Sequence, residues 1–189
     1  MQVEDLKIRE MAGTEPVFDD VMHDFLCNSR DQFLTRRRPE GLVEAADLGQ
    51  QAPWLWRLTF RTRGLIRDAG GEIHLADHHV IAVRFPPDYL RRANQFESLA
   101  LVAPDNAFHP NLAPPRICLR IYPGQPLLEI AEGLHALIGW RLRQLAENDA
   151  LNPDACVWGR SHLADLPIDN RSLFGRSLQI HLEPMGGTT

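Results

Sequence analysis

Two stretches of alternating side chains constrain this chain most. Trp54, Trp56, Leu58 and Phe60 interleave with Leu55, Arg57, Thr59 and Arg61. After a Gly70-Gly71 turn, His79, Ile81, Val83 and Phe85 repeat the pattern. A period of two sends successive side chains to opposite faces, so each stretch predicts a strand with one apolar face. Pro86-Pro87 ends the second, because proline cannot donate to a ladder. Leu99, Leu101 and Val102 predict another strand before Pro104. Links of turn length between consecutive strands predict an antiparallel meander.

Helical periodicity flanks this region. Phe18, Val21, Met22, Phe25, Leu26 and Phe33 share one face of a helix expected over 16–37, with Thr14 and Pro16 opening it and Pro39 and Gly41 ending it. Leu127, Ile130, Ala131, Leu134, Leu137, Ile138 and Leu145 predict a second helix over 127–146. Asn152-Pro153, a cap followed by proline at the first helical position, predicts a third. Leu178, Ile180 and Leu182 predict a short additional C-terminal strand. Residues 1–15 read as a flexible polar lead-in. The order of helix, strands and helices is that of an α+β domain.

At 189 residues with 44% apolar and 24% charged side chains, the chain can bury a core but is too short for two full domains. No apolar run approaches the roughly 18 residues of a membrane span, and the charged N-terminus does not read as a secretion signal. A net charge of -5 argues against nucleic acid as a partner. Cys27, Cys118 and Cys156 form neither a disulfide framework nor a zinc motif, which points to a reducing cytoplasm. His74, Asp77, His78 and His79 do not make a metal site either, because adjacent strand residues face apart. No metal or cofactor is expected. Lys7 is the one lysine among 20 basic residues.

Residues 105–126 hold five prolines and no period, and a long irregular segment within a compact domain is usually functional. It carries Phe108-His109-Pro110-Asn111-Leu112 and then Ile117-Cys118-Leu119. A thiol, an imidazole and a side-chain amide are the parts of an acyl-transfer site, in which a thioester forms and an amide N–H stabilises the oxyanion. From the residues alone, Cys118 also suits an inert buried thiol, Asn111 a turn residue and Asp149 a helix cap.

Four ordered motifs resemble those of the ubiquitin-conjugating enzymes. Phe85-Pro86-Pro87-Asp88-Tyr89 is similar to that family's Phe-Pro-x-x-Tyr, Phe108 through Asn111 to its His-Pro-Asn signature, and Ile117-Cys118-Leu119 to its Ile-Cys-Leu. Asn148 through Pro153, with Ala155, is similar to its Asp-Pro-Leu-Asn segment. The chain departs from the pattern at Arg91–Gln95, at Tyr122–Pro126 and at Ala150. These differences resemble bacterial members encoded in antiphage conjugation operons.

The resemblance implies a fold with an N-terminal helix, a four-stranded antiparallel meander, a long active-site loop and then helices. It implies a catalytic domain over 16–165 and a C-terminal extension over 166–189 that ends in a short strand and a disordered tail. Cys118 would accept a ubiquitin-like protein from an activating enzyme as a thioester and pass it to an amine of a target protein. Asn111 would position the loop or donate to the oxyanion, and Asp149 would orient the attacking lysine. His109 and Pro110 would brace the loop. Arg36, Arg37 and Arg38 would meet the activating enzyme, or simply complement the helix end. The scarcity of lysine fits codon bias in a GC-rich genome, and it also suits a carrier that avoids modifying itself. The alternative is a catalytically silent relative that scaffolds a ubiquitin-like protein or its activating enzyme.

Overall fold

The computed structural model describes residues 3–175. Residues Val43–Asp47 (β1), Leu55–Phe60 (β2), His79–Arg84 (β5) and Leu99–Ala103 (β6) form an antiparallel sheet in the order β1-β2-β5-β6. Between β2 and β5 the chain folds a separate hairpin, Gly64–Arg67 (β3) and Ile73–Ala76 (β4), around the Gly70-Gly71 turn. Gly71 has φ +90°, where a side chain would be strained. The expected α+β class and antiparallel sheet are present. β1 carries too little alternation to be read from sequence, and pairing with β2 in register Val43↔Phe60 makes it a strand.

The sheet separates two helical layers. Trp56, Leu58, Phe60, Ile81 and Val83 face inward and are at most 2% exposed. Residues Asp20–Arg36 (α2) and Leu127–Ile138 (α4, which follows the single turn Gln95–Ser98, α3) cover that face, with Phe33 against Trp56 at 6.2 Å between ring centroids. α2 starts later than its apolar pattern suggests. Asp19 caps it by accepting the Met22 N–H at 2.8 Å, whereas Glu15 accepts the N–H groups of Gln50, Gln51 and Ala52.

The opposite face is covered by a helix where a flexible lead-in was expected. Residues Val3–Ala12 (α1) lie across the sheet, with Ile8 buried. The Asp5 carboxylate pairs with Arg57 of β2 at 2.9 Å, and the Lys7 ammonium donates to the Val102 carbonyl of β6 at 3.2 Å. The local sequence offers only one core residue, so polar anchors on distant strands hold the helix. The expected boundary at 165 also moves. Leu173 and Phe174 enter the main core, Phe174 edge-on to Phe33 at 5.6 Å. The strand expected around 178–182 and the tail lie outside the described residues.

The second helix ends at Ile138, eight residues short of the expected 146. Its N-terminus has no local side-chain cap, and Ser29 of α2 supplies one by accepting the Leu127 N–H at 2.8 Å. At its C-terminus the Trp140 N–H reaches Leu137 O and the Arg141 N–H reaches Ala136 O. This is a Schellman closure, which puts Trp140 in the left-handed region at φ 57°. Glycine usually takes that place, but Gly139 is needed one position earlier, where a Cβ would come within 2.9 Å of the Asp169 Cβ. Among the described residues, no helix is long and apolar enough to cross a membrane.

Candidate functional site

The irregular segment is organised around a two-residue ribbon, Leu112–Ala113 (β7) with Arg116–Ile117 (β8). The Pro115 carbonyl accepts the Leu101 N–H at 2.8 Å, which fastens the ribbon to the sheet edge. The register Leu112↔Ile117 sets Asn111 opposite Cys118, and the Cys118 N–H donates to Asn111 O at 2.8 Å. Two residues far apart in role are thus neighbours by pairing.

The Asn111 side chain joins three segments. Its Nδ2 donates to the Cys118 carbonyl at 3.3 Å, and its Oδ1 accepts the Gln144 N–H at 3.1 Å. Its backbone N–H donates to His109 Nδ1 at 3.0 Å. In this state the amide holds the ribbon against the strap that follows α4. The Cys118 thiol is partly exposed and makes no hydrogen bond to any described residue.

His109 lies beneath this ribbon, edge-on to Trp140 at 4.6 Å and 1% exposed. Burial, with Arg143 adding to it, pushes its pKa down to about 3, so the ring is neutral at working pH. With Nδ1 accepting, the proton sits on Nε2, which faces no described partner. A neutral ring already engaged through its basic nitrogen cannot serve as the thiol's base. The Pro110 carbonyl accepts the Asn152 N–H at 3.1 Å and so ties the loop to the start of residues Pro153–Ser161 (α5), which Asn152 caps.

Asp149 closes a 3-10 turn, Glu147–Asp149, three residues before that tie. It is exposed, and its carboxylate bonds neither Cys118 nor Asn111. Arg36, Arg37 and Arg38 are exposed at the far end of α2, and no bond links them to the ribbon. Arg37 donates to Ala45 O at 3.4 Å and Arg38 to Thr35 O at 3.0 Å.

Tyr89, from the first of the four motifs, and Cys156 and Arg160, which carry no distinct sequence signal for this role, complete the site. Tyr89 is fully buried against Phe85 and donates its hydroxyl to Gln125 O at 3.0 Å, holding the turn that follows Cys118. Cys156 donates to Gln144 O at 3.3 Å, and burial pushes its thiol pKa up. Arg160 donates to Leu145 O at 2.7 Å and pairs with Glu147. α5 therefore holds the strap that Asn111 grips. Cys27 is partly exposed on α2, 3.8 Å from His23 Nδ1. Among the described residues, no three His, Cys, Asp or Glu side chains gather as they would around a metal ion.

The arrangement offers a partly exposed thiol on a braced ribbon and a carboxamide residue opposite it, and among the described residues no basic side chain bonds the thiol. That chemistry suits exchange with an acyl group that is already activated. No family model matches this chain, and no curated protein matches it.

Proposed function

We propose that this protein is a ubiquitin-conjugating-type carrier with a UBC-like fold, acting in the cytoplasm of a bacterium in antiphage conjugation. The observation that carries the reading is the pairing of a partly exposed Cys118 with Asn111 across a ribbon braced by buried His109. The four sequence motifs support it through their placement. Tyr89 of the first holds the turn after Cys118, and the last begins α5, whose entry is bonded to Pro110.

In the proposed reaction the Cys118 sulfur attacks the thioester carbonyl of a ubiquitin-like protein carried by its activating enzyme. A new C–S bond forms, the bond to the activating enzyme's sulfur breaks, and that sulfur leaves with the proton that Cys118 gives up. A target lysine then attacks the new thioester. The C–N bond forms, Cys118 leaves as thiolate, and the amine's proton passes to Asp149 or to water. A thioester needs no added base at the sulfur to be transferred, which agrees with the neutral, engaged His109. Asn111 would hold the ribbon before transfer and present its second amide N–H to the oxyanion during it. The exposed arginines at the end of α2 would meet the activating enzyme.

The test is to mix the protein with an activating enzyme, its ubiquitin-like partner and ATP. The expected product is a reductant-sensitive adduct, converted by Cys118→Ser to a reductant-resistant ester. The same adduct on Cys118→Ala would overturn the assignment, and binding without any adduct would favour the silent scaffold.

A further inference from the structure

The arginine triplet that ends α2 does not act as one patch. Arg37 turns toward β1, whereas Arg36 and Arg38 line a cleft of about 450 Å³ that Arg37 does not line. Arg141, just past α4, and Arg171, on the segment that follows α5, line the same cleft. Four of its twelve lining residues are arginine, against 19 of 189 in the whole chain. Glu132 is the only carboxylate among the lining residues. With Arg171 ion-paired to the buried Asp169, the other three guanidinium groups face one lining carboxylate on a chain of net charge -5.

Helix ends explain only part of this. Arg36 lies in the last turn of α2, where it complements the helix dipole. Arg38 and Arg141 lie beyond their helices, and Arg171 belongs to neither. The Arg36 and Arg141 side chains make no hydrogen bond or ion pair to any described residue. Arg171 is oriented by the buried Asp169, which accepts from its Nε and Nη2, and leaves Nη1 without a described partner. Guanidinium donors from three separate elements, of which Arg171 is oriented by Asp169, match the oxygens of phosphate groups. The volume is that of a small-molecule site and would hold about fifteen waters at ~30 Å³ each. It exceeds the needs of a single inorganic anion.

We infer that this cleft binds a small polyphosphate anion, either free or as the phosphate chain of a nucleotide. The site is remote from the Cys118 ribbon in its bonding and does not rest on the carrier reading.

The test titrates the full chain calorimetrically with tripolyphosphate, sulfate and ATP at constant ionic strength. Saturable one-to-one binding of tripolyphosphate, tighter than sulfate, is expected. Losing two charge-assisted contacts in the Arg36→Gln/Arg141→Gln double variant should weaken it about tenfold or more. Arg38→Gln, a single exposed change, provides a second variant should the double one fail to fold. Tighter binding of ATP than of tripolyphosphate would identify the nucleotide as the source, and equal binding the phosphate chain alone. Cys118→Ala should bind tripolyphosphate like the parent, so failure of the carrier reading would leave this result untouched. Absence of saturable binding at millimolar tripolyphosphate would overturn the inference, as would unchanged affinity in a folded variant. Stronger binding of an oligoglutamate peptide, displacing tripolyphosphate, would also overturn it in favour of a protein-docking surface.

Discussion

The described residues form two apolar clusters built on different principles. The main core fills the space between the sheet and the α2–α4 layer and extends to Ile8 of α1, and most of it follows strand or helix periodicity. The smaller cluster gathers Leu65, Phe108, Trp140, Ala155 and Leu166 beneath the Cys118 ribbon. It joins segments distant in sequence, and Trp140 packs against both His109 and Trp158. The first cluster makes the fold, and the second sets the ribbon's position. A cluster that sets position can tolerate a strained residue, here the left-handed Trp140, because the buried indole compensates for the backbone cost.

Trp140→Ala should break this comparison most sharply. It removes the centre of the smaller cluster and should cost about 3–5 kcal/mol in urea unfolding. Because His109 loses its packing partner, the Cys118 thiol should also react at an altered rate with a disulfide reagent under native conditions. An unaltered thiol rate would show that the cluster does not position the ribbon.

Leu134→Ala is the matching change in the main core and should cost about 2–5 kcal/mol. Here the native thiol rate should stay at the parent value, and a changed rate would erase the distinction between the clusters.

A buried histidine sits near each cluster, and both should report on pH. Burial lowers His79 to about 4 and His109 to about 3. The unfolded chain takes up protons below about pH 6.5 while the folded one does not. Stability is therefore fully present above pH 6.5 and is lost as pH falls toward 4 and then 3, by on the order of 3 kcal/mol for each ring. Unfolding free energies measured across this window should flatten in His79→Gln and in His109→Gln, after allowing for each variant's loss at pH 8. A parent curve that stays level from pH 7 to 4 would contradict this account.

Ser29→Ala tests a polar tie inside the main core. It leaves the buried Leu127 N–H without an acceptor and should cost about 1–2 kcal/mol. Asn111→Ala should have the smallest effect on stability, about 1 kcal/mol for two partly exposed hydrogen bonds. Under the proposed function it should slow thioester discharge more than loading. Equal slowing of both steps would restrict the amide to holding the ribbon.

The alternation at 54–60 and 79–85 was sufficient to place β2 and β5, because a half-buried strand records its environment in every second residue. Asn152-Pro153 likewise marked the start of α5. The positions of Asn111 and Cys118 were legible as motifs, but their direct pairing was not. It depends on a four-residue ribbon too short to show a period. α1 is not legible because its anchors, Arg57 and Val102, lie on strands far along the chain. The end of α4 is masked because Leu145 extends the helical pattern, while Gly139 must stay small beside Asp169.

The strands that carry the core, the helices that cover it and the residue types available for thioester chemistry all depend on local spacing and burial, and so can be read along the chain. Folding adds the Ser29 cap on a helix of another layer, the left-handed backbone of Trp140 beside His109, and four arginines lining one cleft. Those outcomes arise from contacts between distant segments, whose geometry no local pattern encodes.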